Sequence, residues 1–413
     1  MITGRFILFL VLAFTGVVIQ ADDWPQFRGP AGQGHSSERG LPTLWSESRN
    51  VIWKVPVPGL GWSSPAVAGG LVWLTTAMER QYPVSLRVIA LEVATGRVLV
   101  NVEVFTVEPN PALNPKNSYS SPTPIIENDR VYVHFGPYGT AALTTSGRIL
   151  WKVRLPHDPE HGNGGSPALY KDLLVINCDG IDDAYIAALD KQTGEVRWKT
   201  PRRKPWGHAY STPLVIRAGT QDQVVSVGAF RVAAYEPQSG SELWRVEYGD
   251  GYSNVPRPVY AHGLVYITTG LQHPSLLAIR PDGAGDVTAT HVAWRVERGV
   301  PVTPSPLLVG DELYVVNDLG IVTCLDARTG RSRWQQRLEG NFSASPVFAD
   351  GRIYFLNELG VTTVIAAGKE FRRQAVNSLE EAWTLASMAV SDGSLFIRSA
   401  DHLYRIGTRS VRY

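Results

Sequence analysis

The chain has 413 residues, of which 44% are hydrophobic and 19% charged, an ordinary balance for a globular protein with a sizeable core. Lys and Arg number 39 against 38 Asp and Glu, a formal charge of +1, and no basic run exceeds Arg202-Arg203-Lys204. That balance argues against a nucleic-acid surface, which needs a clustered basic excess.

Residues 1–21 have the pattern of a secretory signal: Arg5, an apolar stretch over 6–19, Ala21, then Asp22-Asp23. A mature chain of 22–413, folded as one domain and acting in the periplasm or outside the cell, is expected. An uncleaved anchor is the alternative, although the apolar stretch is short for a span and no second run of spanning length follows. Neither Cys178 nor Cys324 follows the signal, so there is no acceptor for an N-terminal lipid. The two lie at different places in the repeat described next, which argues against a disulfide.

From residue 64 onward the chain repeats. Short apolar runs open at Ser64-Pro65, Ser121-Pro122, Ser166-Pro167, Thr212-Pro213, Val255-Pro256, Ser305-Pro306, Ser345-Pro346 and Ser387-Met388. The mean period is roughly 46 residues, near that of a four-stranded propeller blade. Hairpin signals follow each opening, as at Gly310-Asp311-Glu312 and Asp350-Gly351 between apolar runs. A third strand carries Ala188-Leu189-Asp190, Ala234-Tyr235-Glu236 or Cys324-Leu325-Asp326, and a Gly turn such as Thr193-Gly194 leads to a fourth.

The fourth strand begins near Trp151, Trp198, Trp244, Trp294 or Trp334, with Val100 in unit one and an irregular unit seven around Phe371. A large ring at one repeat position reads as structural, covering apolar area against the next blade. The last unit supplies three strands, and residues 50–55, with Trp53, resemble the missing fourth. Pairing the two ends leaves no open sheet edge at the seam. The expected fold is all-β: an eight-bladed β-propeller of four-stranded antiparallel blades, closed by the N-terminal strand in the last blade.

Propeller ligands sit where inter-blade loops converge, and the segments ahead of each opening are rich in aromatic and polar groups. Trp62, Tyr119, Asn163, His208, Tyr210, Tyr252, Arg257 and Asn341 are the candidate channel-mouth residues. Such a ring suits a flat polar ligand or a sugar, by stacking and hydrogen bonding. The competing reading has the hydroxyls capping turns and the aromatics packing between blades. His208 has the chemistry of a base or ligand near neutral pH. Arg257 suits a bidentate carboxylate or an inter-blade ion pair. Residues 109–115 lengthen the first unit, an insertion of the kind that lies on a binding face. No nucleophile elbow, zinc helix or phosphate loop is present.

The unit Leu189-Asp190-Lys-Gln-Thr193-Gly194-Glu-Val-Arg-Trp198 resembles the repeat of pyrroloquinoline-quinone-type propellers, a group that includes quinoprotein alcohol dehydrogenases and the propeller lipoprotein of the outer-membrane barrel-assembly machinery. Asp23-Trp24-Pro25-Gln26-Phe27-Arg28-Gly29-Pro30 and Asn177-Cys178-Asp179-Gly180 resemble a secreted bacterial branch of it. The resemblance covers almost the whole mature chain. It implies the fold and leaves the activity open. The dehydrogenases use a vicinal disulfide and a bound Ca2+; this chain has no adjacent cysteines, and its best oxygen-rich segment, Asp179-Gly180-Ile-Asp182-Asp183, also reads as a plain turn. The lipoprotein's lipidated cysteine is absent. No cofactor or metal is expected, with quinone plus Ca2+ as the alternative. The favoured role is a monomeric binding or scaffolding module with a protein or glycan partner outside the cytoplasm. A quinone-dependent oxidoreductase and a carbohydrate-active propeller are the alternatives.

Overall fold

The computed structural model describes residues 22–110, 113–202, 207–380 and 382–408. The signal-like segment, Arg203 and Lys204 of the basic run, and parts of the 109–115 insertion lie outside these residues. Eight sheets of four antiparallel strands make the structure, one of them extended by a short fifth strand. The inner strands of the eight blades are Ala66–Ala68, Ile125–Glu127, Ala168–Tyr170, Leu214–Ala218, Val259–Ala261, Leu307–Val309, Val347–Ala349 and Ala389–Ser391. Val51–Pro56 pairs antiparallel with His402–Gly407 at the outer edge of the eighth blade. The ring therefore closes by joining the two ends of the chain, as the strand-like segment around Trp53 implies. No helix among the described residues is long and apolar enough to cross a membrane.

The core lies between blades rather than within them. One apolar cluster joins Leu173, Val175, Ile186, Ala188 and Trp198 of the third blade to Val224, Ala233 and Tyr235 of the fourth. The repeat motif explains the joint. Asp190 Oδ1 accepts the amides of Gln192 and Thr193, and Gly194 N–H returns to Asp190 O at 2.8 Å. This tight turn needs a residue at φ 78°, which Gly194 supplies. The turn is also where the neighbouring blade docks: a Cβ on Gly194 would stand 2.6 Å from Trp151, so only glycine lets that indole lie flat. Trp151, Trp198, Trp294 and Trp53 donate from Nε1 to Lys191, Pro237, Ala327 and Val93, each on the next blade's turn. The Trp53 contact runs from blade eight to blade one, so the seam uses the same joint as the rest. Alanine stands opposite Trp151, Trp198 and Trp294, and opposite Trp244, whose Nε1 donates instead to Gln223 Oε1 of its own blade, with a bulge directly after each pair.

Around the axis runs a second joint. Ser64 N–H donates to Thr123 Oγ1 at 3.0 Å, Thr123 N–H to Ser166 Oγ at 2.9 Å, and Ser166 N–H to Thr212 Oγ1 at 2.9 Å. The chain resumes with Arg257 N–H to Ser305 Oγ at 3.0 Å, Ser305 to Ser345 at 3.0 Å, Ser345 to Ser387 at 2.9 Å, and Ser387 back to Ser64 at 3.1 Å. Between Thr212 and Arg257 the link is made instead by Ser211 Oγ donating to Pro256 O at 2.8 Å. The inner strands of units two and five thus open at Thr123-Pro124 and Arg257-Pro258, two residues beyond Ser121-Pro122 and Val255-Pro256. Both segments carry two X-Pro pairs two residues apart, and period-two alternation makes them equivalent until the ring chooses one.

Trp198 is 8% exposed and sits on the Gly240 turn. Trp198→Ala should lower unfolding free energy by about 3–5 kcal/mol, measured by urea denaturation; an unchanged midpoint would show that this joint does not hold the ring. His134 is fully buried beside Thr140 Oγ1 at 2.8 Å, and burial, with His157 nearby, pushes its imidazole from 6.5 down to about 3. The unfolded chain therefore takes up a proton that the folded one refuses. The stability from this group is complete above pH 6.5 and is lost as pH falls toward 3. Denaturation at pH 7.5, 5.5 and 4.5 should show that loss, with a shallower slope in His134→Gln.

Candidate functional site

Antiparallel succession in each blade puts the blade-to-blade connections and the second-to-third-strand loops on one face, and the remaining turns on the other. The second face is capped by the chain's own N-terminal segment. Trp24 pairs with Val67 of blade one, Pro25 O accepts from Ile126 of blade two, and Gln33 Oε1 from Tyr260 of blade five. His35 Nε2 lies 2.6 Å from Leu308 O, Ser36 pairs with Phe348, and Glu38 accepts from Asp392 and Gly393. The Trp-Pro-Gln-Phe-Arg-Gly-Pro segment is therefore a plug. Arg28 within it and Arg257 beside it are buried with no carboxylate in ion-pair reach among the described residues. Burial pushes both guanidinium groups down to about 9, so both still carry charge at neutral pH. Arg28 Nη2 donates to Pro306 O and Gln33 O, and Arg257 Nη1 to Phe27 O. Gly32 and Gly34 wrap them; a Cβ on either would collide with a guanidinium.

Above the plug the axial channel forms a blind cavity of about 440 Å³. Phe27 is its floor, and Ser64, Thr123, Ser166, Ser305, Ser345 and Ser387 of the hydroxyl ring line its wall. Trp62, Asn114, Lys116, Asn117, His161, Tyr210, Leu271, Asp318 and Leu385 stand toward the open end. Trp62 meets Trp383 edge-on at 4.8 Å. Lys116, next to the insertion after the first blade, reaches across to Glu358 of the seventh at 2.7 Å, and with Asn114 it stands at the mouth.

The eight candidate residues do not form one ring. Trp62 and Tyr210 line the channel. His208 and Tyr252 line a separate pocket of about 300 Å³ with Glu160, Ile181, Phe230 and Gln272. Tyr119 and Asn163 are buried packing residues: Tyr119 lies 5.5 Å from Tyr138, and Asn163 fills the space beside Gly136. Arg257 turns to the closed end, and Asn341 is an exposed loop residue. The residues the sequence did not single out are Glu160 and His161. Glu160 Oε2 lies 2.8 Å from His208 Nδ1, and the His161 and His208 rings meet at 5.1 Å. His161 and His208 precede the ring hydroxyls of consecutive units, Ser166 and Thr212, by nearly the same offset, and that spacing was the available signal.

The residues present do not match a Ca2+-held quinone. Both oxygens of Asp179 are taken by Arg202 Nη1, at 2.6 and 2.7 Å, and Asp182 Oδ1 by the Asp158 amide. Asp318 is the one carboxylate among the described channel-lining residues, and it accepts from Val302 N–H at 2.7 Å. Cys178 and Cys324 are buried in the third and sixth blades, far from any adjacent pairing.

Comparison with known proteins adds relatives of several kinds. A tetrathionate hydrolase from Acidithiobacillus ferrooxidans is 23% identical over 314 residues, 71% of this chain and 56% of that protein, so the chain spans little more than half of its length. The quinohemoprotein alcohol dehydrogenase of Comamonas testosteroni superposes with a TM-score of 0.67 at 11% identity, over 94% of this chain and 81% of that one. BamB from Moraxella catarrhalis superposes with a TM-score of 0.62 at 13% identity, over 88% of this chain and 98% of that one. At such identities the superpositions establish the fold. The family described as outer membrane protein assembly factor BamB matches residues 43–229 and 228–407, and the chain belongs to that family.

Proposed function

We propose that this propeller is a binding module that docks a protein partner on its open face, outside the cytoplasm. One observation carries the reading. Of the eleven exposed large hydrophobic residues among those described, Tyr82, Ile181, Leu271, Leu319 and Leu359 sit in second-to-third-strand loops and Trp383 in a blade connection, six in all on the face with the open mouth; Val98, Leu99, Val196 and Val376 lie on outer strands and Leu44 ahead of the first strand. Leu359 is 67% and Leu319 61% exposed. Apolar tips arranged at one repeat position around a polar cavity are what a protein-docking face offers. The opposite face is occupied by the plug. The blind channel behind the mouth falls in the size range of a pocket for one side chain cluster or chain end, and its hydroxyl and amide lining suits hydrogen bonding more than chemistry. The match to an assembly-factor family supports docking over turnover, and the signal-like segment supports an address outside the cytoplasm.

A photo-crosslinking side chain placed at position 319 or 359 should give a discrete protein adduct in cell-envelope preparations, while positions 99 and 196, on outer strands, should not. Equal yields from all four positions would sink the reading. In parallel, saturable binding of pyrroloquinoline quinone in Ca2+ buffer, with dye-linked alcohol oxidation, would replace it with an oxidoreductase.

A further inference from the structure

The wall between the channel and the neighbouring pocket holds the one group of three His, Cys, Asp or Glu side chains among the described residues whose ligand atoms converge: Glu160, His161 and His208, all within 4.8 Å of one another. We infer that these three form a binding site for a single transition-metal dication of the zinc class. The donor set is two imidazoles and a carboxylate, the composition that holds zinc with one coordination position left for an outside ligand. Tetrahedral bonds of about 2.0–2.1 Å put neighbouring ligand atoms about 3.4 Å apart, a spacing that small rotations of Glu160 and His161, both only partly buried, can reach.

The surroundings hold the ligands in place. His208 is 6% exposed and packed edge-on against Tyr252 at 5.4 Å, and its backbone carbonyl accepts from Ser253 N–H. His161 O accepts from Asn117 Nδ2 at 3.0 Å, and Asp158 Oδ1 from Glu160 N–H at 2.9 Å. Glu160 adopts φ 60°, a backbone conformation that a non-glycine residue keeps only where its surroundings demand it. His161 lines the channel while Glu160 and His208 line the side pocket, so the site stands in the wall between the two. An incoming carboxylate, imidazole or water there would complete the shell. The inference is independent of the docking face.

Titration of the metal-free protein with Zn2+ alone, by calorimetry at pH 7.5 in a non-chelating buffer, should show one ion per chain with micromolar or tighter affinity. His161→Ala and Glu160→Gln change partly exposed side chains and should preserve the fold, checked by circular dichroism and melting. Each should weaken binding by about 100-fold or more, while Asp183→Asn should leave it unchanged. Co2+ in place of Zn2+ should give the intense visible absorption of a four-coordinate site, lost in the two ligand variants. No saturable binding, or binding untouched by both ligand variants, would overturn the inference.

Discussion

Eight blades meeting on one axis must satisfy the backbone amide at the head of each inner strand, and the ring of Ser and Thr hydroxyls does so. Each amide is taken by the hydroxyl of the next blade, at 2.9 to 3.1 Å, in seven links of the eight. A buried amide left without an acceptor costs about 1–3 kcal/mol, so a one-residue slip of any inner strand would be opposed both at its own joint and at its neighbour's. The ring thereby sets the register of every blade. It also lines the channel with hydroxyl groups, and so the element that closes the fold is the same one that gives the cavity its polarity.

Its exception is informative. The fifth unit replaces the hydroxyl with Arg257, whose amide still joins the ring while its guanidinium turns to the plug and holds Phe27 O. The plug in turn needs glycine at positions 32 and 34 to pass around the buried guanidinium groups. A sequence change at the axis and a glycine-rich segment more than two hundred residues away are thus one structural feature. Together they close one end of the channel, leaving the other face, with its apolar loop tips, as the side open to a partner.

The periphery obeys a different rule. There the tryptophan joints depend on shape: a flat indole, a small residue opposite it, a glycine turn beneath it. Where the indole is missing the joint is filled otherwise, as by Val100 and Val102 under Gly147. Trp53 lies on the Gly96 turn in the same way, but the residue opposite it is Arg405 rather than a small one, and Arg405 donates to the same Val93 O that Trp53 does, so the seam carries a second hydrogen bond to that carbonyl.

By itself the sequence determined the period, the strand count, the closure around Trp53 and the structural role of the tryptophans, because each follows from local alternation or from a motif that recurs at a fixed offset. The tertiary structure decided the rest. Ser121-Pro122 and Thr123-Pro124 alternate identically, so only the hydroxyl ring could choose between them. The segment from Trp24 to Glu38 has no periodicity and acquires meaning only against six separate blades. The aromatic and polar loop residues read alike along the chain, yet Trp62 and Tyr210 reach the channel, Tyr119 and Asn163 are buried, and His208 joins Glu160 and His161 in a different pocket. Side-chain direction within an irregular loop is set by what the neighbouring blades bring to it, and that contact is long-range in sequence.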